Sequence, residues 1–197
     1  MNNQPTPKIS KKQQQIVETA ESLFFRYGIK RVTVEEICQK ANVSKMTFYK
    51  YFANKIDLVK HIAYAGLEKG YKKLNEVEAM PVPFTEKLRT MLEYRLEGIA
   101  KMSTDFINEF MQTEFYVPIN RAWIQRIIQF LADAQKRGDI RPEIHPEFIL
   151  IMMNKLQELA DDEHLKSLYP DYVELSREIF NFLYYGILSR DHPENLV

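Results

Sequence analysis

The chain has almost no cysteine, little glycine and no long apolar run, and each scarcity excludes something. A single cysteine, Cys38, in 197 residues leaves no intrachain disulfide framework and no cysteine cage for a metal. It fits a reducing, cytoplasmic setting. With six glycines in all, no phosphate-cradling glycine loop can be found. No apolar stretch reaches the roughly 18 residues that a membrane span needs. The opening MNNQPTPKIS lacks an apolar h-region, so no secretory signal is expected. His61, His145, His164 and His192 are scattered, and no two share metal-ligand spacing. Neither a metal site nor a cofactor nor a catalytic constellation is therefore expected, and the chain does not read as an enzyme. No segment alternates as a strand would, and no internal repeat is visible.

What remains is helical periodicity and an uneven charge. The net charge is zero, yet residues 1–53 carry nine basic and four acidic side chains, a balance of +5 that leaves −5 for the rest. A basic head on an acidic body suits an anionic polymer. On charge alone an ordinary difference of a few charges between short segments is an equally good reading.

Residues 1–9 have no periodicity and two prolines, and read as a flexible arm. Ser10-x-x-Gln13 is a capping box, followed by Ile16, Ala20, Leu23, Phe24 and Tyr27 on one helical face and by a stop at Gly28. A second box, Thr33-x-x-Glu36, opens a short helix whose apolar face is Val34, Ile37, Cys38 and Ala41. Only Asn42-Val43-Ser44 separates it from a third helix that runs to about Phe52. Asn42 tolerates positive φ, Cys38 is small enough for a close helix crossing, and Val43, Phe48 and Phe52 can turn inward with Ile37 and Leu23. That spacing is a helix-turn-helix over Thr33–Phe52. The outward face of the third helix offers Lys45, Met46, Thr47, Tyr49 and Lys50, side chains that suit a major groove and its phosphates.

A fourth helix opens at Asn54 and Asp57 and runs to about Val77. Pro81 and Pro83 mark a linker, and further helices are expected near 84–102, 104–115, 118–137, 146–162 and 171–190. The fold class is all-α, with a head at 1–53 and a helical body at 54–197.

Tyr27-Gly28, Thr33-Val34-Glu35-Glu36-Ile37, the run Ser44 to Phe52 and Asn54-Lys55 together resemble the TetR family of bacterial repressors over about residues 12–60. The resemblance implies about nine helices, a homodimer and a body that binds a small-molecule effector. It implies base contacts from Lys45, Met46, Thr47 and Tyr49, and backbone contacts from Thr33, Tyr51 and Lys55, with the Lys55 amine facing a phosphate. Asn42 departs from the family's usual turn glycine, and Lys50 stands where an aromatic is common.

Two surfaces follow. Phe148–Met153 is an unbroken apolar run and the last helix is apolar on most sides, so both need cover. A two-fold four-helix dimer interface from 146–162 and 171–190, with Phe148, Met152, Leu156, Ile179, Leu183 and Ile187, is expected. The middle helices carry Met91, Tyr94, Met102, Phe106, Phe110, Trp123 and Ile127, which by spacing read as core and by resemblance as an apolar effector pocket. Arg95, Glu109, Glu114 and Asn120 are possible polar anchors. The expected function is a repressor that holds a palindromic operator as a homodimer and is released by a mostly apolar ligand. Alternatives are a DNA-binding dimer controlled by a protein partner or unregulated, and a small-molecule-binding helical protein with no DNA role.

Overall fold

The computed structural model describes residues 10–158, 162–169 and 171–187. The expected N-terminal arm and the expected end of the last helix near residue 190 lie outside them. Ten helices and no strand stand among the described residues.

The three short helices of the head begin where hydroxyls can cap them. Helix α1, Lys11–Tyr27, starts with Ser10 Oγ accepting the Gln13 N–H, and ends at Gly28, whose N–H donates to the Phe24 carbonyl and whose φ of +80° turns the chain out of the helix. Helix α2, Val34–Lys40, is capped by Thr33, which accepts the Glu36 N–H. Helix α3, Lys45–Tyr51, is capped by Ser44, which accepts the Thr47 N–H. Asn42 between them is the one non-glycine residue with positive φ, +51°, among the described residues. The chain therefore reverses quickly enough for the Val43 N–H to bond the Cys38 carbonyl at 3.0 Å.

Helix α4, Lys55–Ala79, opens on a reciprocal cap: Asn54 Oδ1 accepts the Asp57 N–H at 2.9 Å, and Asp57 Oδ2 accepts the Ala53 N–H at 3.0 Å. Then follow α5, Phe84–Ile99, α6, Thr104–Met111, and α7, Tyr116–Arg137. Proline at 118 fits the first turn of α7, where no intrahelical acceptor is needed. Gly138, with φ of +87°, ends that helix. Helix α8 is Pro146–Glu158, α9 is Glu163–Leu168 and α10 is Tyr172–Ile187. Helix α9 was not anticipated. Asp162, expected inside the preceding helix, instead caps α9 by accepting the N–H groups of His164 and Leu165.

The chain forms two compact units. The first runs to Gly70 and takes in Glu97–Asn120; the second is Tyr71–Leu96 with Arg121 onward. A cut after residue 53 thus separates neither unit. In the first, Ile16, Leu23, Phe24, Ile37, Phe48, Phe52, Leu58 and Ile62 pack with Phe106, Phe115 and Ile119. Phe24 and Phe48 are fully buried, and each such burial contributes about 1.5–3 kcal/mol. In the second, Leu74, Phe84, Leu88, Phe130, Leu131, Ile140 and Ile149 form the main core, and Leu92, Leu96 and Phe180 a smaller one. Arg126 ties α7 to α4 there through Glu78 and Asn75, and the Gln135 amide donates to the carbonyls of Arg141, Pro142 and Ile144.

Candidate nucleic-acid interface

Helix α3 sets its apolar side against the head and leaves the other side open. Phe48 and Phe52 are buried and meet at 5.9 Å between ring centroids, while Phe52 meets the His61 ring edge-on. The opposite face carries Met46 at 85% exposure and Tyr49 at 55%, with Lys45 and Lys50 beside them. Two large apolar side chains held this far into solvent on a capped helix are a feature of contact surfaces rather than of cores.

The remaining expected contacts are anchored to the fold. Thr47 is half-buried, and its hydroxyl lies 2.9 Å from Ser44 Oγ. Thr33 is exposed while it caps α2. Tyr51 is half-buried and its phenol oxygen accepts the Ser10 hydroxyl at 2.7 Å, tying α3 to the start of α1. The Lys50 ammonium stands 5.8 Å from the Tyr51 ring centre. Lys45 Nζ meets Glu35 Oε1 of α2 at 2.5 Å. Hydrogen bonding to Lys45 holds the Glu35 carboxyl below the usual carboxylate range and raises the Lys45 ammonium in return.

Lys55 requires a correction. Its ammonium does not face outward: it donates to the carbonyls of Ile29 at 2.6 Å, Lys30 at 3.1 Å and Val32 at 2.7 Å. All three protons go to the loop between α1 and α2, so the amine as placed has none for a phosphate. Partial burial pushes its pKa down, and the nearby Glu109 charge opposes that shift.

Glu109 of α6 is the counterpart. Its Oε2 accepts the N–H of Ile29 at 2.5 Å and of Lys30 at 2.8 Å. The loop is thus gripped from both sides, by an ammonium on its carbonyls and a carboxylate on its amides. Gly28 makes room for this: a Cβ there would stand 3.0 Å from Glu109 Oε2 and 3.2 Å from Asp105 Cβ. Glu109, one of the polar anchors expected for a ligand, instead serves the backbone of the head.

The seven residues expected to line an effector pocket do not fall in one unit. Phe106 and Phe110 belong to the first unit's packing: Phe106 meets Phe25 at 4.7 Å, and Phe110 touches Phe106, Phe115 and Tyr116. Met102 packs on the same core and borders a cleft of about 770 Å³ lined also by Glu18, Glu21, Arg26 and Lys69. An aromatic stripe on a helix does not say which neighbour it meets, and here that neighbour is α1. Met91, Tyr94, Trp123 and Ile127 lie in the second unit, all half-buried, with Trp123 stacked on Tyr71 at 6.2 Å.

Of the residues expected at a dimer interface, Phe148 is 54% exposed, and Met152 and Ile179 are half-buried. The side chains of Leu156, Leu183 and Ile187 lie outside the described residues. Ile151 and Phe182, at 57% and 81% exposure, extend the open apolar surface of α8 and α10, which pack on each other. Cys38 is buried, and burial pushes its thiol pKa up.

A capped short helix with an open outward face, set one tight turn after another on a basic head, is the geometry of a helix-turn-helix. The comparisons agree. Residues 16–62 match the family model described as "Bacterial regulatory proteins, tetR family". The chain is 28% identical over 154 residues to the uncharacterized HTH-type transcriptional regulator YhgD of Bacillus subtilis (strain 168), covering 72% of this chain and 78% of that one. The regulatory protein TetR from Rhodobacter sphaeroides has the same fold, with a TM-score of 0.71 at 20% identity over 91% of this chain and all of that one. SmeT, described as the repressor of a Stenotrophomonas maltophilia multidrug efflux pump, gives 0.69 at 18% identity over 92% of each chain. Residues 16–62 are thus similar to the DNA-binding segment of tetR-family regulators, and the chain as a whole shares their all-helical fold. No helix among the described residues is long and apolar enough to cross a membrane.

Proposed function

We propose that the protein is a homodimeric repressor that holds a palindromic operator with α3 and releases it when a small, mostly apolar molecule binds the body. The outward face of α3 carries this reading: Met46 and Tyr49 are exposed on a helix whose start is fixed by Ser44 and whose inner face is locked by Phe48 and Phe52. Lys45 donates to guanine acceptors, Met46 and the Thr47 methyl meet thymine methyls, and Tyr49 donates to a phosphate. Lys50, Tyr51 and Thr33 contact the backbone on either side. Lys55 acts through the loop that it holds.

The open apolar face of α8 and α10 supports a dimer, since exposed patches of this kind mark association surfaces. SmeT's description as a repressor favours that sign of control. Met91, Tyr94, Trp123 and Ile127, half-buried and adaptable, favour an apolar effector in the second unit. Control is by linkage: an effector that prefers a body geometry unsuited to the operator lowers DNA affinity by the factor by which DNA lowers its own.

Selection of bound duplexes from random DNA tests this. The expected product is a palindrome with half-sites one helical turn or more apart. Lys45→Ala with Tyr49→Ala is expected to weaken binding to that site at least about a hundredfold, with the helical content and sedimentation of the dimer unchanged. Unchanged affinity, or selection of no sequence at all, overturns the assignment.

A further inference from the structure

We propose that Glu35 and Lys45 act as one base-reading unit, in which Lys45 donates to a guanine and Glu35 accepts from the amino group of the cytosine paired with it. The inference rests on the operator-binding reading above.

The observation is an ion pair in an unexpected place. Lys45 is the first residue of α3, and N-terminal residues of a recognition helix are those that reach base edges. Its ammonium lies 2.5 Å from a carboxylate of α2, and both side chains are more than half exposed, at 57% and 61%. Stability does not account for it, because an exposed pair adds little to folding. A lysine meant for a phosphate is poorly served by it, since the carboxylate cancels the charge that the phosphate attracts. An acid on this face also repels the DNA backbone.

The arrangement suits base reading in particular. Ammonium has three protons, and Glu35 takes one. Two remain, enough for guanine O6 and N7. The carboxylate has further lone pairs, and the cytosine amino group is the donor that major-groove carboxylates accept. A G·C pair presents acceptor, acceptor and donor in a row, and the Lys45–Glu35 pair presents the complement. An A·T pair presents acceptor, donor and acceptor, and mismatches it. The tether thus converts a charge that would bind any phosphate into a polar pair that gains only from the right base. Glu35 is the specificity-determining residue, and Lys45 supplies its partner contact.

The experiment uses the full chain, by duplex selection and by titration against salt, for wild type, Glu35→Gln and Lys45→Gln. Wild type is expected to select G·C at one position of each half-site. Glu35→Gln is expected to lower that preference about tenfold while the other positions and the half-site spacing persist. Its freed lysine turns to phosphate, so non-specific binding tightens and the salt slope steepens by about 0.9 per half-site. Lys45→Gln is expected to lose preference at the same base pair. If Glu35→Gln selects the wild-type sequence with the wild-type salt slope, or if the two variants lose preference at different base pairs, the inference is overturned. If wild type itself selects no sequence, the failure is that of the operator reading, and the pair falls with it.

Discussion

Removing the Glu109 carboxylate should loosen the head at a point far from Glu109 in sequence. The carboxylate accepts two backbone N–H groups, those of Ile29 and Lys30. Hydrogen bonds to a charged group contribute about 1.5–3 kcal/mol each. Water reaches the exposed Lys30 amide and replaces part of that loss, so roughly half the full sum, about 1.5–3 kcal/mol, is expected for Glu109→Ala. The same change leaves Lys55, partly buried and lowered in pKa, without its neighbouring anion. For a chain of this length each kcal/mol shifts Tm by about 2–4 °C, which gives a fall of roughly 3–12 °C. Glu109→Gln keeps an acceptor and should lose about half as much. Thermal unfolding followed by circular dichroism reads both. Glu114→Ala, at an exposed site just after α6, is the control and should move Tm by less than about 1 °C. A double-mutant cycle with Lys55→Ala should show coupling of about 1 kcal/mol, because both residues grip one loop. A Tm for Glu109→Ala within about 1 °C of wild type would refute the reasoning, since that is the cost of an ordinary exposed charge.

Gly28→Ala should cost about 1–3 kcal/mol by equilibrium denaturation, because φ of +80° with ψ of 166° is a region kept for glycine and the new Cβ meets Glu109 and Asp105. Ser44→Ala removes the cap of α3 and the partner of the Thr47 hydroxyl; about 1 kcal/mol of stability should be lost, with a measurable fall in operator affinity. Cys38, buried and with a raised pKa, should react with a thiol alkylating reagent at neutral pH far more slowly than a free thiol does, and at the free rate once the chain is unfolded. By linkage the folded thiol holds its proton longer than the unfolded one, so its contribution is full below the ordinary thiol range and is lost as pH rises through the folded pKa; Cys38→Ala should flatten that alkaline decline.

The head was legible because its signals are local. Ser10, Thr33 and Ser44 each bond an amide three residues on, and that spacing can be read from the letters alone. Asn42 was read as the left-handed turn residue, and φ of +51° agrees. The inward and outward faces of α3 followed from the period of its aromatics. Lys55 and Glu109 were misread for the opposite reason. Their partners are main-chain carbonyls and amides about 25 and 80 residues away, and any sequence supplies those. Phe106 and Phe110 were placed on the right stripe of α6 but given the wrong neighbour, since periodicity reports a buried face and not what buries it. The Glu35–Lys45 pair lies between the two extremes: ten residues apart across a tight turn, it is within reach of helix-turn-helix geometry, whereas the capping box accounts for Glu36 alone.

The grip on the loop after Gly28 also bears on how portable this head is. Its core closes only when Phe106, Phe115 and Ile119 arrive from a stretch some forty residues beyond the end of the first segment, and its loop is held by Glu109 from the same stretch. A chimera that transplants residues 1–53 onto another regulator's body would carry the recognition helix but leave behind its foundations. The transferable part is discontinuous, residues 10–70 with 97–120, so new operator preferences are more safely installed by rewriting the outward face of α3 and Glu35 than by exchanging heads.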